Sequence, residues 1–145
     1  MTGIADDYLT SWAYYQYKPF GGDFTTIARG NPEGFWNQDG TLQEYKVKAL
    51  ARAYLPYTQG RLTKVQFDPS TAAFTAEFTY SDAAKGSTVA YLNQEYWYAS
   101  APTVTLTANG AAIDIDAMGH TYEDSLYSFD LHNAATVKNG DTISM

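Results

Sequence analysis

The sequence predicts a mainly β protein: an antiparallel, immunoglobulin-like β-sandwich preceded by a strand, a long loop and one α-helix. Three observations predict this fold. Apolar residues recur at helical spacing before residue 60, they alternate with a period of two after it, and turn signals separate the later apolar runs. We therefore expect a strand-loop-helix unit over residues 1–60 and a β-sandwich domain over residues 61–145.

The first predicted strand covers residues 11–17, which read SWAYYQY, because aromatic runs of this length are typical of strands. The residues that follow, up to Gly40, are rich in Gly, Asn, Asp and Pro and predict a long loop. A strand, a long loop and a helix in this order are typical of one βα unit of a TIM barrel that carries a functional loop.

The helix follows this loop. Its apolar stripe is formed by Leu42, Tyr45, Ala49, Leu50, Ala53 and Tyr54. Thr41, followed by Glu44, predicts a capping box with Thr41 as the N-cap. Pro56 predicts the end of the helix, since proline removes a backbone donor, and Gly60 predicts the connection to the next unit.

The second half of the chain predicts short strands. Phe74, Ala76, Phe78 and Tyr80 fall on one face of an alternating run, and further runs lie at 88–92, 103–107, 112–115 and 126–131. Turn signals such as Asn-Gly separate these runs, and no helical pattern lies between them. Short strands at this spacing predict an antiparallel sandwich, and residues 142–145 predict the opening of another strand.

Composition narrows the classes of function. The chain has 145 residues, a formal net charge of −7 and nine Lys and Arg residues, which argues against binding to nucleic acid or anionic lipid. No stretch is long and apolar enough to cross a bilayer, and Asp6 and Asp7 lie where a signal peptide needs an apolar run. We expect a mature, cytoplasmic or truncated chain of unknown localisation, with secretion as part of a larger precursor left open, because the sequence holds no cysteine that would decide the redox compartment.

Two consecutive segments carry a resemblance to a known family. SWAYYQYKPFGGDFTT and GFWNQDGTLQEYKVKALARAYLPYTQG resemble the eighth strand, loop and last helix of endoglycoceramidase-like family 5 glycoside hydrolases. The segments TAEFTYS, VAYLNQEYWY and TVTLT are similar to the small β-sandwich that follows the barrel in that family. The residues that match the family's loop-helix pattern are Gly34, Phe35, Asn37, Asp39, Gly40, Leu42, Gln43, Tyr45 and Lys46.

The resemblance implies a non-catalytic carboxy-terminal fragment. The family cleaves glycosides with two carboxylates, which it keeps in the barrel before the eighth strand, and a whole barrel needs roughly 250 residues. We therefore expect no catalytic residue and no cofactor in this chain, and a glycoside or glycolipid as the substrate of the intact enzyme. In that family the sandwich continues into a complete final strand, whereas this chain ends at Met145. If that strand is absent here, we expect an open sheet edge that invites pairing between copies.

Six residues are candidates for substrate binding. The resemblance implies that Trp12 lines the sugar site, and Tyr14 and Gln16 stand beside it in the same run. The densest aromatic segment further along contains Tyr96, Trp97 and Tyr98. Aromatic faces stack on sugar rings, but a hydrophobic core uses the same side chains, so core packing remains the alternative at every one of these positions.

A metal site is not predicted. Asp114, Asp116, Glu123 and Asp124 supply oxygen atoms but match no complete calcium loop, and the two histidines show no ligand spacing. Three hypotheses follow: a hydrolase fragment, a stand-alone carbohydrate- or glycolipid-binding module, and a self-assembling structural protein. The corresponding partners are a carbohydrate or glycolipid, a missing barrel portion, or other copies of the chain, and not nucleic acid.

Overall fold

The computed structural model describes residues 2–14, 17, 34–37 and 39–145. These residues fall into two compact units. The larger consists of residues 1–10 and 52–145, and the smaller of residues 11–51. The predicted division at residue 60 stays a prediction.

Two antiparallel sheets form the larger unit. The described strands are β1 (Tyr54–Tyr57), β2 (Gly60–Asp68), β3 (Ala73–Tyr80), β4 (Thr88–Tyr91), β5 (Leu106–Ala108), β6 (Ala111–Ile113), β7 (His120–Glu123), β8 (Leu126–Phe129) and β9 (Thr142–Ser144). One sheet has the order β1-β4-β8-β7 and the other β2-β3-β9-β5-β6. Helix α1 (Thr2–Asp7) lies against β2, a one-turn helix (Ile115–Met118) joins β6 to β7, and a 3-10 turn (Leu131–Asn133) follows β8. The predicted β-sandwich is confirmed.

The core lies between the two sheets. On β3, Ala76 and Phe78 are fully buried and Tyr80 is 5% exposed, as the alternation of the sequence predicts, and Phe74 is half-buried. Facing residues of the four-stranded sheet, among them Ala90, Tyr127 and Phe129, complete the same apolar cluster. This burial on one face fixes the register of each strand, because a slip by one residue turns the apolar side chains to water.

Strand β9 corrects the expectation of an open edge. It pairs with β3 through Phe78 and Ile143 and with β5 through Thr107 and Ser144, so it lies inside the five-stranded sheet. Ile143 is fully buried there. The edges of this sheet are therefore β2 and β6, and the expected unpaired edge at the end of the chain is wrong.

The predicted helix is shorter than its apolar stripe. Helix α2 covers Glu44–Leu50, and its N-cap is Gln43 rather than Thr41. The hydroxyl of Thr41 instead donates to the carboxylate of Asp39 at 2.6 Å, which leaves no capping box. Tyr54–Tyr57 is strand β1 and contains Pro56, because pairing with β4 and burial of Leu55 override the helical periodicity. Proline is tolerated there because β1 is an edge strand.

The predicted first strand is not found in the described part of its segment. Residues 11–14 and 17 belong to no strand, and the described residues of the smaller unit contain one isolated bridge, between Trp36 and Leu42. The backbone N–H of Phe35 donates to the carbonyl of Tyr17 at 3.3 Å, but an aromatic run becomes a strand only where a neighbouring strand supplies a ladder of such bonds, and the described residues of this unit form no ladder with it. Tyr15, Gln16 and residues 18–33 of the predicted loop lie outside the described residues.

Candidate functional site

The candidate residues near the amino terminus are half exposed. Trp12 is 44% exposed and Tyr14 is 40% exposed. Tyr14 stacks on Phe35, with ring centroids 5.0 Å apart and planes 23° apart. Gln16 lies outside the described residues, so the trio predicted from the sequence is placed only in part, and its role in binding stays a prediction.

The second group of candidates belongs to a loop of residues 93–98, here called the aromatic loop, which follows β4. Asn93 organises it. The carbonyl of Asn93 accepts hydrogen bonds from the backbone N–H groups of Trp97 (3.2 Å) and Tyr98 (2.9 Å), and its side-chain oxygen accepts one from Tyr96 (2.7 Å). Its side-chain nitrogen donates to the hydroxyl of Tyr91 at 2.7 Å. This role of Asn93 was not predicted from the sequence, although asparagine is a known turn residue.

Trp97 packs towards the interior of the sandwich. Its ring meets that of Phe67 edge to face, with centroids 5.1 Å apart and an angle of 74°. On the same phenyl ring, the guanidinium carbon of Arg52 lies 5.2 Å from the centroid. Trp97 is half-buried and belongs to the residues packed against the core, so a large part of its ring surface is already used by the fold.

Tyr98 and Tyr122 hold the end of the aromatic loop. The Tyr98 hydroxyl donates to the carbonyl of Ala72 at 2.7 Å, and the Tyr122 hydroxyl lies 2.9 Å from the carbonyl of Leu92 and 3.2 Å from that of Tyr98. Burial, with Tyr122 nearby, raises the pKa of Tyr98 to about 12. Both hydroxyls therefore keep their protons at neutral pH and act as hydrogen-bond donors.

A cavity of about 250 Å³ lies beside Tyr98. Phe74, Leu92, Val104 and Thr103 line it together with Tyr98. Among the described residues, no Asp, Glu, His, Lys or Arg lines this cavity, so its surface suits binding rather than proton transfer. This cavity and the aromatic loop form the candidate site that the sequence indicated through residues 96–98.

A separate polar network joins the two sheets. The side chain of Gln59, which is 1% exposed, donates to Asp130 at 2.8 Å and lies 2.8 Å from Nδ1 of His132. Burial opposes ionisation of Asp130, but hydrogen bonds from His132 and Gln59 outweigh it and lower the pKa of Asp130. The hydrogen bond to Asp130 raises the pKa of His132. The network fixes the turn between β1 and β2 against the end of β8.

No metal site is evident in the part of the chain that the structure describes. Over those residues, no three His, Cys, Asp or Glu side chains come close enough to hold an ion. Asp114 instead caps the one-turn helix by accepting from the N–H of Ala117 at 3.0 Å. Among the described helices, none has the length and apolar content that crossing a membrane requires.

A solved structure shares this architecture. The chain aligns with a crystal structure of Cryptococcus neoformans sterylglucosidase 1 with hit 1 at a TM-score of 0.54 and 16% identity, over 93% of this chain and 21% of that one. A second structure, of the same sterylglucosidase with tris, aligns at a TM-score of 0.44 and 16% identity, over 68% of this chain and 14% of that one. The chain thus spans about a fifth of the length of the sterylglucosidase whose fold it shares.

Sequence comparison gives the family. No curated protein matches the chain. The profile of the glycoside hydrolase family 5 C-terminal domain matches residues 52–141, which is more than half of the chain and nearly all of the β-sandwich. This agrees with the resemblance in the sequence and with the two antiparallel sheets. The chain therefore belongs to the glycoside hydrolase family 5 C-terminal domain family.

Proposed function

We propose that this chain serves as the non-catalytic carboxy-terminal part of a glycoside hydrolase that cleaves a glycoside or glycolipid. In this proposal the glycosidic bond is broken by residues outside these 145 residues. The sandwich supplies a folded domain beside the catalytic part and contributes to presenting the substrate. Membership of the family supports the context, and the arrangement of the acidic side chains supports the absence of catalysis.

The proposal rests on the exposure and the pKa values of the described carboxyl groups. Glycoside hydrolysis needs a protonated acid with a raised pKa, and in retaining enzymes a second carboxylate roughly 5 Å away. No described Asp or Glu side chain is buried, and every described carboxyl group whose pKa departs clearly has it lowered, namely Asp39, Asp68 and Asp130. Hydrogen bonds from neighbouring side chains and backbone lower these pKa values, which is the opposite of what a general acid requires.

The two acidic groups with buried or half-buried partners are already engaged. Asp6, whose side chain is 16% exposed, pairs with the buried Arg52. Asp130 is held by His132 and Gln59. Both groups therefore stabilise the fold, and neither of them lines the cavity beside Tyr98.

Covalent trapping tests this proposal. A 2-deoxy-2-fluoro glycoside with a good leaving group forms a lasting glycosyl ester on the nucleophile of a retaining glycosidase, and intact-mass spectrometry detects it. We expect the mass of this chain to stay unchanged after incubation with the glucosyl and galactosyl reagents. A stoichiometric sugar adduct that Asp6→Asn or Asp130→Asn abolishes would place a nucleophile in the chain and overturn the proposal.

Substrate binding by Trp12, Tyr14, Gln16, Tyr96, Trp97 and Tyr98 is the finer part of this proposal. The exposure of Trp12 and Tyr14 supports it for the first group. Because the chain has three tryptophans, variants that keep one of them at a time report which indole senses a glycan. We expect a ganglioside or a glucoside to change the fluorescence of Trp12 or Trp97, with the variant that keeps only Trp36 as the silent control. A signal confined to Trp36 would remove both groups from the site.

A second candidate function is self-association, and an exposed apolar face supports it. A bulge in β1 pairs Tyr54 with Tyr91 and Tyr57 with Val89, so both β1 tyrosines lie on the outer face of the four-stranded sheet. Tyr54 is 50%, Tyr57 69% and Leu126 42% exposed on this face. Sedimentation velocity distinguishes the outcomes. If the chain sediments as a dimer and the Tyr57→Ser variant as a monomer, this face joins copies of the chain. If the chain itself sediments as a stable monomer, a missing barrel portion is favoured as the partner of this face.

A further inference from the structure

The cavity beside Tyr98, here called the Tyr98 cavity, is lined by side chains that keep part of their own surface free. It lies between the start of β3, the end of the aromatic loop, residues 102–105 and Met145. Phe74, Tyr98, Val104 and Met145 pack against the core but are each only half-buried. The Tyr98 cavity therefore presents an apolar wall that a ligand can contact, in contrast to the fully buried residues of the core.

Hydrogen bonds fix the walls of the Tyr98 cavity. The hydroxyl of Tyr98 donates to the carbonyl of Ala72 at 2.7 Å and joins the aromatic loop to the start of β3. Ala76 and Met145 exchange two backbone hydrogen bonds, of 3.1 Å and 2.9 Å, which hold Met145 beside β3. Walls that are fixed in this way resist collapse, and a preformed site costs a ligand little reorganisation.

The lining of the Tyr98 cavity carries no charge among the described residues, and its exposed hydroxyls belong to Thr103 and Thr105. A charged ligand would lose its water there without gaining a counter-charge. A sugar would bury more hydroxyls than two threonines can pair with. An aliphatic chain needs only the apolar contacts that the wall supplies, so the lining favours such a chain over a charged ligand or a sugar.

The volume of the Tyr98 cavity bounds the size of the ligand. A water molecule occupies about 30 Å³ of liquid and a methylene group is of similar size, so the cavity of about 250 Å³ holds about eight methylene groups. Sites for ligands of drug size are larger, at about 300–1,000 Å³. The volume therefore favours one linear chain over a body of fused rings.

We propose that the Tyr98 cavity binds the end of a linear alkyl or acyl chain of about eight carbons, with Phe74, Val104 and Met145 as the wall that contacts it. The identity of this chain as the tail of a glycolipid rests on the proposed function, whereas the binding of the chain by the cavity does not. Covalent trapping and chain binding are therefore separate results, and either can fail alone.

The methyl groups of methionine report this binding. Of the three methionines, Met145 lines the cavity, whereas Met118 is 4% exposed and does not line it. The chain with ¹³C-labelled methionine methyls is titrated with butanol, hexanol, octanol and decanol, all linear primary alcohols, and with methyl β-glucoside as the sugar comparison. We expect octanol to shift the Met145 signal and to leave that of Met118 unchanged. No shift of Met145 in a saturated octanol solution, equal shifts of both methyls, or a shift caused by the glucoside alone would overturn the proposal.

The dependence on chain length distinguishes a bounded cavity from general adsorption. Burial of each added methylene is expected to raise the affinity about fourfold until the cavity is full. We expect this rise to end near octanol, because the cavity holds about eight methylene groups. An affinity that keeps rising at the same rate to decanol would indicate adsorption to an open surface and would contradict the proposal.

Variants make the assignment specific. Val104→Thr keeps the size of the side chain but replaces a methyl group in the wall by a hydroxyl, and we expect it to weaken octanol binding about fourfold or more. Val137→Thr is the matched control, because Val137 is also half-buried against the core but does not line the cavity. We expect its affinity to stay within twofold of the parent, and the Met118 signal shows whether each variant is folded. Equal affinities of the two folded variants would contradict the proposal.

Discussion

The buried guanidinium of Arg52 pairs with helix α1, and its removal is expected to destabilise both the helix and the sandwich. Arg52 is 7% exposed and its guanidinium pairs with Asp6 of α1, donates to the carbonyl of Phe67 at 3.2 Å and packs on the Phe67 ring. Breaking a buried ion pair by removing one partner costs about 3–5 kcal/mol. The Asp6 side chain is 16% exposed and regains some water, so we expect Arg52→Met to cost about 3 kcal/mol.

Urea denaturation followed by circular dichroism measures this loss, and a thermal scan is expected to show Tm lower by roughly 6–12 °C for a domain of this size. The control is Lys64→Met, since the Lys64–Glu77 pair is exposed, at 45% and 39%, and such pairs contribute about 0–1 kcal/mol. Hydrogen exchange adds a local readout, because release of α1 is expected to speed exchange at residues 2–10. A loss for Arg52→Met no larger than that for Lys64→Met would refute the reasoning.

The pair itself is separable from the packing of Arg52. In a double-mutant cycle, the variant that combines Arg52→Met with Asp6→Asn is expected to be more stable than the sum of the single changes predicts, because the carboxylate left unpaired by the first change is removed by the second. Additive losses would mean that the ion pair does not couple the two residues and that Arg52 acts through its contact with Phe67 alone.

Three further predictions concern the sandwich. Raising the pH from 6 to 8 is expected to lower the urea midpoint, because the pKa of His132 is higher in the folded protein than in the unfolded chain. The stabilisation is complete at a pH below the unfolded-state pKa of His132 and is lost as the pH rises through its folded-state pKa. His132→Gln is expected to make the urea midpoint depend less on pH over this range, and an unchanged dependence would contradict this prediction. Gly60→Ala is expected to lower the free energy of unfolding by well over about 1 kcal/mol in urea denaturation, because φ of Gly60 is +147° and a Cβ would lie 1.9 Å from the carbonyl oxygen of Thr79. The control is Gly3→Ala, which is expected to be nearly neutral because a Cβ there meets open space. Equal effects of the two changes would contradict this prediction. Ile143→Ala is expected to cost about 2–5 kcal/mol in the same assay, because Ile143 is fully buried between β3 and β5, and a loss under about 1 kcal/mol would show that β9 is not central.

Strands with one buried face were predictable, because apolar and polar residues alternate along them and indicate which face is buried. Phe78 and Tyr80 point to the core, as their spacing indicates. Strand β7, which reads HTYE, and β1, which reads YLPY, carry no such alternation. The conformation of β1 comes from pairing with β4, which is distant in sequence, and that of β7 from a tight hairpin with β8, so in both cases the partner strand rather than alternation within the strand determines the fold.

The central position of β9 was beyond local reasoning for a similar reason. A three-residue strand at residues 142–144 carries too few apolar side chains to be placed by periodicity. Its hydrogen bonds come from β3 and β5, which lie more than 30 residues away along the chain. The sheet order therefore depends on long-range contacts and not on propensity.

The sequence indicated the residues of the candidate site but not their packing. The aromatic loop was evident from the density of aromatic residues, but the sequence could not distinguish a binding surface from core packing. The same Trp97 ring that packs on Phe67 could otherwise stack on a sugar. The stacking of His120 on Tyr127 was not evident from local patterns, because it forms only when β7 folds back on β8.

We propose that these 145 residues do not themselves break a glycosidic bond. The most direct test of this proposal is the release of fluorophore from 4-methylumbelliferyl β-glucoside by the purified chain over a range of acidic to neutral pH. We expect a rate equal to that of the buffer blank at every pH. A rate that scales with the concentration of the chain, from an activity that co-elutes with the chain in gel filtration, would contradict the proposal.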